Sequence, residues 1–118
     1  MGQIPAERRQ YPRAQKQLAL KIKADGCDIV TQTENISCVG TYCIVDKQIP
    51  VMTKLSLLLL LPLRSKNRNV TSKIHCKGVV VRSDTAVETG KFNLAVFFNE
   101  ISERNKTKIA QYINQHIV

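Results

Sequence analysis

Short runs of alternating apolar and polar residues recur along most of this chain, and they constrain its fold more than any other feature. In the first run, Leu18, Leu20 and Ile22 alternate with small or charged neighbours, which is the period of a strand with one buried face. Turn-rich or charged connections separate five further strand-like runs, at residues 27–32, 41–45, 55–61, 74–82 and 91–98. Six strands with few long gaps favour a small antiparallel barrel, because closure removes exposed sheet edges.

The end of the chain has a helical pattern instead. Ser102 can cap a helix, and Glu103 then lies in its first turn, where a carboxylate is favourable. Apolar residues follow at three- and four-residue steps, at Ile109, Tyr112, Ile113 and Ile117. We therefore expect a mainly β domain with a C-terminal helix over about residues 101–117, whose apolar stripe packs on the barrel or on a partner.

The longest apolar run, residues 55–63, is far shorter than the roughly 20 residues that a transmembrane helix needs. It fits a strand that is buried on both faces. Leucines on both faces exceed what one barrel wall requires, so the terminal helix or a second copy of the chain would have to cover the outer side. A homodimer is one of these two alternatives.

Length and composition agree with one domain, since 118 residues with 43% apolar content can bury a single core. The 18 basic residues against nine acidic ones give a net charge of +9. Residues 1–23 hold six basic residues and one acidic one, and residues 64–82 hold six basic residues and no acidic one. Such charge attracts small anionic ligands, nucleic acid or acidic lipid, although solvated loops and strand faces also account for the second stretch.

Other classes of protein find little support in the sequence. No apolar run follows the early charges, so we expect no secretory signal and a cytoplasmic protein. The carboxylates are scattered and form no constellation with a nucleophile or base, so we do not expect an enzyme. No CxxC spacing occurs, and His75 and Cys76 would point to opposite faces of a strand. We expect no metal site, and buried free thiols at Cys27, Cys38, Cys43 and Cys76.

Two short segments contain the side chains that are best suited to bind a ligand. Residues 9–13 read RQYPR and place Arg9 and Arg13 on a basic segment. A guanidinium group is a planar fork of donors that matches both a phosphate and the O6/N7 edge of guanine.

Residues 35–40 read NISCVG. Asn35 can donate and accept at a base edge, Ser37 can donate to a phosphate oxygen, and Gly40 allows close approach of the backbone. Taken alone, Asn35 and Ser37 fit an ordinary side-chain turn better than a ligand site. Together with the arginines they suit one small anionic ligand.

An RxxxR pair followed by [D/N]xSxxG on a chain of about this length resembles the PilZ domain, a bacterial receptor module for cyclic di-GMP. The resemblance covers nearly the whole chain and implies a six-stranded antiparallel barrel with a C-terminal helix. It also implies that cyclic di-GMP is the ligand, held by Arg9, Arg13, Asn35, Ser37 and Gly40. Arg8, directly before the motif, implies a further contact to a second, stacked ligand molecule. One departure is Val39, where the family frequently has glycine, because a β-branched residue resists positive φ.

The resemblance further implies a receptor or adaptor that signals without a cofactor. Residues 1–16 would form a flexible basic arm in front of a barrel at residues 17–118. The arm would become ordered on the ligand and present a new surface to a downstream protein. Two alternatives stay open: a degenerate PilZ adaptor that no longer binds the nucleotide, and a small basic barrel that binds single-stranded nucleic acid. Three Tyr, three Phe and no Trp offer few stacking platforms for the latter, so DNA or RNA is not expected.

Overall fold

The computed structural model describes residues 12–24 and 26–116, and within them six antiparallel strands and one helix. The strands are β1 (Ala19–Ala24), β2 (Cys27–Ile36), β3 (Gly40–Val45), β4 (Lys54–Ser65), β5 (Arg68–Ala86) and β6 (Lys91–Glu100), and the helix is α1 (Glu103–His116). The mainly β architecture with a C-terminal helix, predicted from the sequence, is confirmed.

The strands close into a barrel in the order β1-β2-β3-β6-β5-β4, and β4 pairs back onto β1. Strands that follow each other in the chain pair as hairpins, except that β3 pairs with β6 rather than with β4. Because β6 lies between β3 and β5, these two strands are only two positions apart in the barrel. Residues about 40 positions apart in the sequence therefore share one stretch of outer surface.

The hairpin of β4 and β5 is longer than the sequence predicts. Pairing runs without interruption from Lys54 with Val79 to Ser65 with Arg68. Lys66 and Asn67 form the two-residue turn, both with positive φ, as right-twisted hairpins require. The prediction stopped short at this end because the residues near the turn are almost all polar and exposed, so they lack the apolar alternation of a strand.

The core is one cluster of side chains from every strand and from the helix. The odd-numbered leucines of β4, from Leu55 to Leu63, all point inward and are buried. Ile109, Tyr112 and Ile113 of α1 are buried in the same cluster, and the helix contacts β4. These three residues of the predicted apolar stripe thus pack on the barrel, and the fourth, Ile117, lies outside the described residues.

The outer leucines of β4, Leu58 and Leu60, are half-buried. Leu58 lies in register between Lys21 and His75, and Leu60 pairs with Lys73. Long basic side chains can cover apolar surface with their methylene stems. The homodimer that would have covered this face stays a prediction.

The segment before β1 is hydrogen-bonded to β2. Ala14 and Ile36 exchange two backbone hydrogen bonds, of 2.9 and 3.0 Å. The buried Thr33 hydroxyl accepts a bond from the Leu18 amide (2.9 Å) and donates one to the Lys16 carbonyl (2.6 Å). The last part of the predicted arm, from residue 12, therefore lies against the barrel. Arg8 and Arg9 lie outside the described residues.

All four cysteines are free, but only Cys43 is buried; Cys27, Cys38 and Cys76 are partly exposed. Burial, and secondarily the Glu34 carboxylate, raises the pKa of the Cys43 thiol to about 12. In the part of the chain that the structure describes, no three His, Cys, Asp or Glu side chains are grouped so as to hold a metal ion. The described residues include no helix long and apolar enough to cross a membrane.

Candidate ligand-binding site

Ser37 holds the tight turn between β2 and β3. Its amide donates to the Gly40 carbonyl (2.9 Å), and its hydroxyl accepts a bond from the Val39 amide at 3.2 Å. The same hydroxyl lies 3.4 Å from the Gly40 carbonyl oxygen and has no exposed surface. Contact with a phosphate would require this hydroxyl to leave its bonds in the turn.

Val39 and Gly40 fit this turn for different reasons. Val39 does not have positive φ, so its β-branch causes no strain of the kind that the sequence suggested. Its carbonyl accepts a bond from the Phe98 amide (2.8 Å), which ties the turn to β6. At Gly40, a Cβ atom would overlap the Val96 carbonyl oxygen. Glycine is needed there for close strand packing.

Asn35 lies on β2 rather than in the turn, and a β-bulge sets its direction. The pairing of β2 with β3 shifts register between Thr33, opposite Cys43, and Asn35, opposite Tyr42. The extra residue in a bulge re-aims the side chains that follow it. Ile36 is consequently buried in the core, while Asn35 lies half-buried on the outer face beside Tyr42.

Arg13 lies directly against this face. Its Nη1 atom donates a 2.7 Å hydrogen bond to Oδ1 of Asn35. Its Cζ atom is 5.9 Å from the centre of the Tyr42 ring, within the range of a cation–π contact. The backbone bonds of Ala14 to Ile36 place Arg13 there.

A row of side chains continues from Asn35 across the outer face. Tyr42 on β3 is opposite Ala95 on β6, and Ala95 is opposite Arg82 on β5. Arg82 forms a salt bridge with Asp84, with 3.2 Å between Nε and Oδ2. Interaction with the Tyr42 side chain, and then the Asp84 carboxylate, raises the pKa of Arg82. We call Asn35, Tyr42, Ala95 and Arg82 the outer row.

Arg13, Asn35 and the turn at residues 37–40 thus form one continuous surface with a second arginine, Arg82. The model of the PilZ domain family matches residues 7–115. The chain belongs to the PilZ domain family. The match begins ahead of Arg8 and Arg9, so both motifs of this PilZ domain lie within it.

Three solved structures are similar to this PilZ domain. The inhibitor of motility MotI/DgrA of Bacillus subtilis has a TM-score of 0.77 and 23% identity over 91% of this chain and 50% of its own. The PilZ domain of YcgR from Escherichia coli, solved with c-di-GMP, has a TM-score of 0.63 and 13% identity over 92% of this chain and 91% of its own. MrkH, a c-di-GMP-dependent transcription regulatory factor, has a TM-score of 0.62 and 13% identity over 91% of this chain and 50% of its own.

At identities of 13–23%, the similarity to these three structures shows the fold alone. The chain spans about half the length of MotI/DgrA and of MrkH. No curated protein matches the chain.

Sequence reasoning named Arg13 and Asn35, which the structure brings into contact, and Ser37 and Gly40, which it places in the adjoining turn. It did not single out Tyr42 or Arg82 as site residues. The alternation in β3 was enough to place Tyr42 on the outer face. Its proximity to Arg82 depends on the β3–β6 pairing and the β5 register, which no local pattern encodes.

Proposed function

We propose that this PilZ domain is a receptor for cyclic di-GMP that acts as an adaptor toward a downstream protein. The observation that carries the proposal is the Arg13 guanidinium, fixed by a hydrogen bond to Asn35 on the outer face. The similar PilZ domain of YcgR, which was solved with c-di-GMP, supports the ligand class.

The chemistry of the surface suits a nucleotide with phosphates and guanines. Arg13 carries a fork of donors, and Asn35 adds an amide that can pair with a base edge. When a phosphate or a guanine O6/N7 edge replaces the Asn35 oxygen as partner of Arg13, the charge-assisted bond is retained and the amide is released. Arg9, Ser37 and Gly40 remain predicted ligand residues, and the net charge of +9 draws an anion to the domain.

A titration of the purified domain by calorimetry tests the proposal. Cyclic di-GMP should bind in preference to cyclic di-AMP, because adenine places an amino donor where guanine has O6. It should also bind in preference to GTP and GMP. Equal binding of the two cyclic dinucleotides would overturn it. No binding of either would leave the degenerate adaptor, and binding of a labelled single-stranded oligonucleotide instead would favour the nucleic-acid alternative.

Arg8 and the arm add two proposals, the first tested by the same titration and the second by amide hydrogen exchange. If Arg8 holds a second ligand molecule, Arg8→Leu lowers the stoichiometry from two toward one while tight binding remains. A wild-type complex with one ligand would exclude that role. If the arm becomes ordered, amide hydrogen exchange over residues 3–15 slows when ligand is added, and unchanged exchange at saturation would exclude the switch. The cytoplasmic location stays a prediction.

A further inference from the structure

Tyr42 is the centre of a group that extends beyond the two family motifs. Arg13 lies over its ring, and Arg82 interacts with its side chain from the other side. The outer row thus carries two guanidinium groups around one aromatic ring. Arg13 is supplied by the segment before β1, and Arg82 comes from β5, two strands away from Tyr42.

A small, buried residue lies beneath this arrangement. Ala95 separates Tyr42 from Arg82 in register and is only 8% exposed, and Gly40 is opposite the half-exposed Phe97. Residues two apart on a strand share a face, so Gly40 and Tyr42 of β3 face outward beside Phe97 and Ala95 of β6. In this group of four, each large residue is opposite a small one. Adjacent strands are about 4.8 Å apart, so the backbones of β3 and β5 stand roughly 10 Å apart over Ala95.

Arg82 contributes little to the fold. Its side chain is 64% exposed and that of its partner Asp84 is 60% exposed. Exposed ion pairs add little to stability. An exposed guanidinium beside an aromatic ring is instead suited to a planar ligand, which it can contact edge-on or by stacking.

We propose that Tyr42 and Arg82 form a guanine subsite over Ala95, in which the Arg82 fork contacts O6 and N7 and the Tyr42 ring contacts the face of the base. This deepens the proposed function and rests on it, since it names the residues of this surface that read the base. Asp84 holds Arg82 until the ligand arrives.

The test compares three single variants of the full chain by titration with cyclic di-GMP and with cyclic di-AMP. Arg82→Ala should weaken binding of cyclic di-GMP by roughly five- to a hundredfold and narrow its preference over cyclic di-AMP. Arg82→Lys keeps the charge but loses the forked pair of donors. It should therefore restore little of the affinity for cyclic di-GMP and little of the preference over cyclic di-AMP. Arg68→Ala removes the same charge at the distant end of the β4–β5 hairpin and should leave the preference unchanged.

Ala95→Leu supplies a further, independent variant: Ala95 is buried between Tyr42 and Arg82, so a leucine there should push these two side chains apart and weaken binding without loss of a charge. Thermal unfolding checks that each variant is folded. A wild-type domain without cyclic di-GMP binding would overturn the proposed function together with the subsite. Normal wild-type binding with an unaffected Arg82→Ala, or full recovery in Arg82→Lys, would overturn the guanine subsite alone.

Discussion

Thr33 shows how one buried hydroxyl can set the position of a predicted ligand residue. It has no exposed surface, and its Oγ1 bonds both the Leu18 amide and the Lys16 carbonyl. These two bonds, together with those of Ala14, hold the segment before β1 against β2. These bonds therefore hold Arg13 beside Asn35.

Thr33→Val should therefore affect both stability and binding. Valine keeps the shape but leaves a buried amide and a carbonyl without a partner, which costs about 1–3 kcal/mol. Urea unfolding measures the loss of stability, and titration should show weaker binding of cyclic di-GMP because Arg13 is less well anchored. Thr31→Val, which removes only a partly buried bond to the Ile44 carbonyl, is the control. A Thr33→Val domain as stable as the wild type would contradict this role.

Arg13→Ala should lower the affinity for cyclic di-GMP roughly five- to a hundredfold, through loss of a charge-assisted, forked contact. The fold should change little, since Arg13 lies on the surface of the barrel and contributes no core packing. Arg9→Ala should act similarly, as the sequence predicts. Titration measures the affinity and thermal unfolding the stability. Normal ligand binding by Arg13→Ala would exclude Arg13 as a ligand residue.

At the scale of single residues, the structure places two of the predicted ligand residues in surroundings that the sequence did not predict. Asn35 was expected near a turn and lies on a strand, because the bulge that turns it outward leaves no signature in the sequence. Ser37 was expected to face a phosphate and is buried in its turn, which is the structure that Asn35 and Ser37 alone had favoured.

Among the elements, the pairing of β3 with β6 determines the site. It joins the turn at residues 37–40 to β5 through β6, and it requires close approach at Gly40. Apolar alternation was sufficient to predict that both strands exist. Their pairing and the 19-residue length of β5 depend on contacts between segments distant in sequence, so local patterns did not reveal them.

Gly40→Ala should destabilise the barrel, because its Cβ would overlap the Val96 carbonyl oxygen and force β3 away from β6. We expect a cost of roughly 1–3 kcal/mol, typical of overpacking. Gly90→Ala is the matched control: no atom lies near its Cβ position, and only the positive φ opposes it, at about 1–2 kcal/mol. Amide exchange should distinguish them, with faster exchange along β3 and β6 only in Gly40→Ala. Unchanged exchange there would show that the strands tolerate the methyl group.

For the whole molecule, the thiols of Cys43 and Cys76 predict a loss of stability at high pH. Burial raises the pKa of Cys43 from 9.0 to about 12, and that of Cys76 likewise. The folded chain then keeps protons that the unfolded chain releases, so this stability is present below about pH 9 and falls as the pH rises toward 12. Cys43 alone should account for about 1.4 kcal/mol at pH 10. Urea unfolding at pH 7 and 10 should show a smaller fall for Cys43→Ala, and equal falls would contradict the prediction.

The net charge of the whole molecule supplies long-range attraction of an anion to the proposed ligand site. The acid-free stretch at residues 64–82 of the β4–β5 hairpin and the lysines of β1 make one side of the barrel strongly basic. Under the proposal, by contrast, the outer row makes the specific contacts with the ligand. Added salt should therefore weaken cyclic di-GMP binding but leave its preference over cyclic di-AMP.

The most direct test of the account is to map the ligand on the folded domain by NMR, with backbone amide shifts recorded while cyclic di-GMP is added. The account predicts the largest shifts at Arg13, Asn35, the turn at residues 37–40, Tyr42 and Arg82, with little change at the hairpin turn around Lys66. Shifts confined to the basic hairpin, or none at saturating ligand, would contradict it.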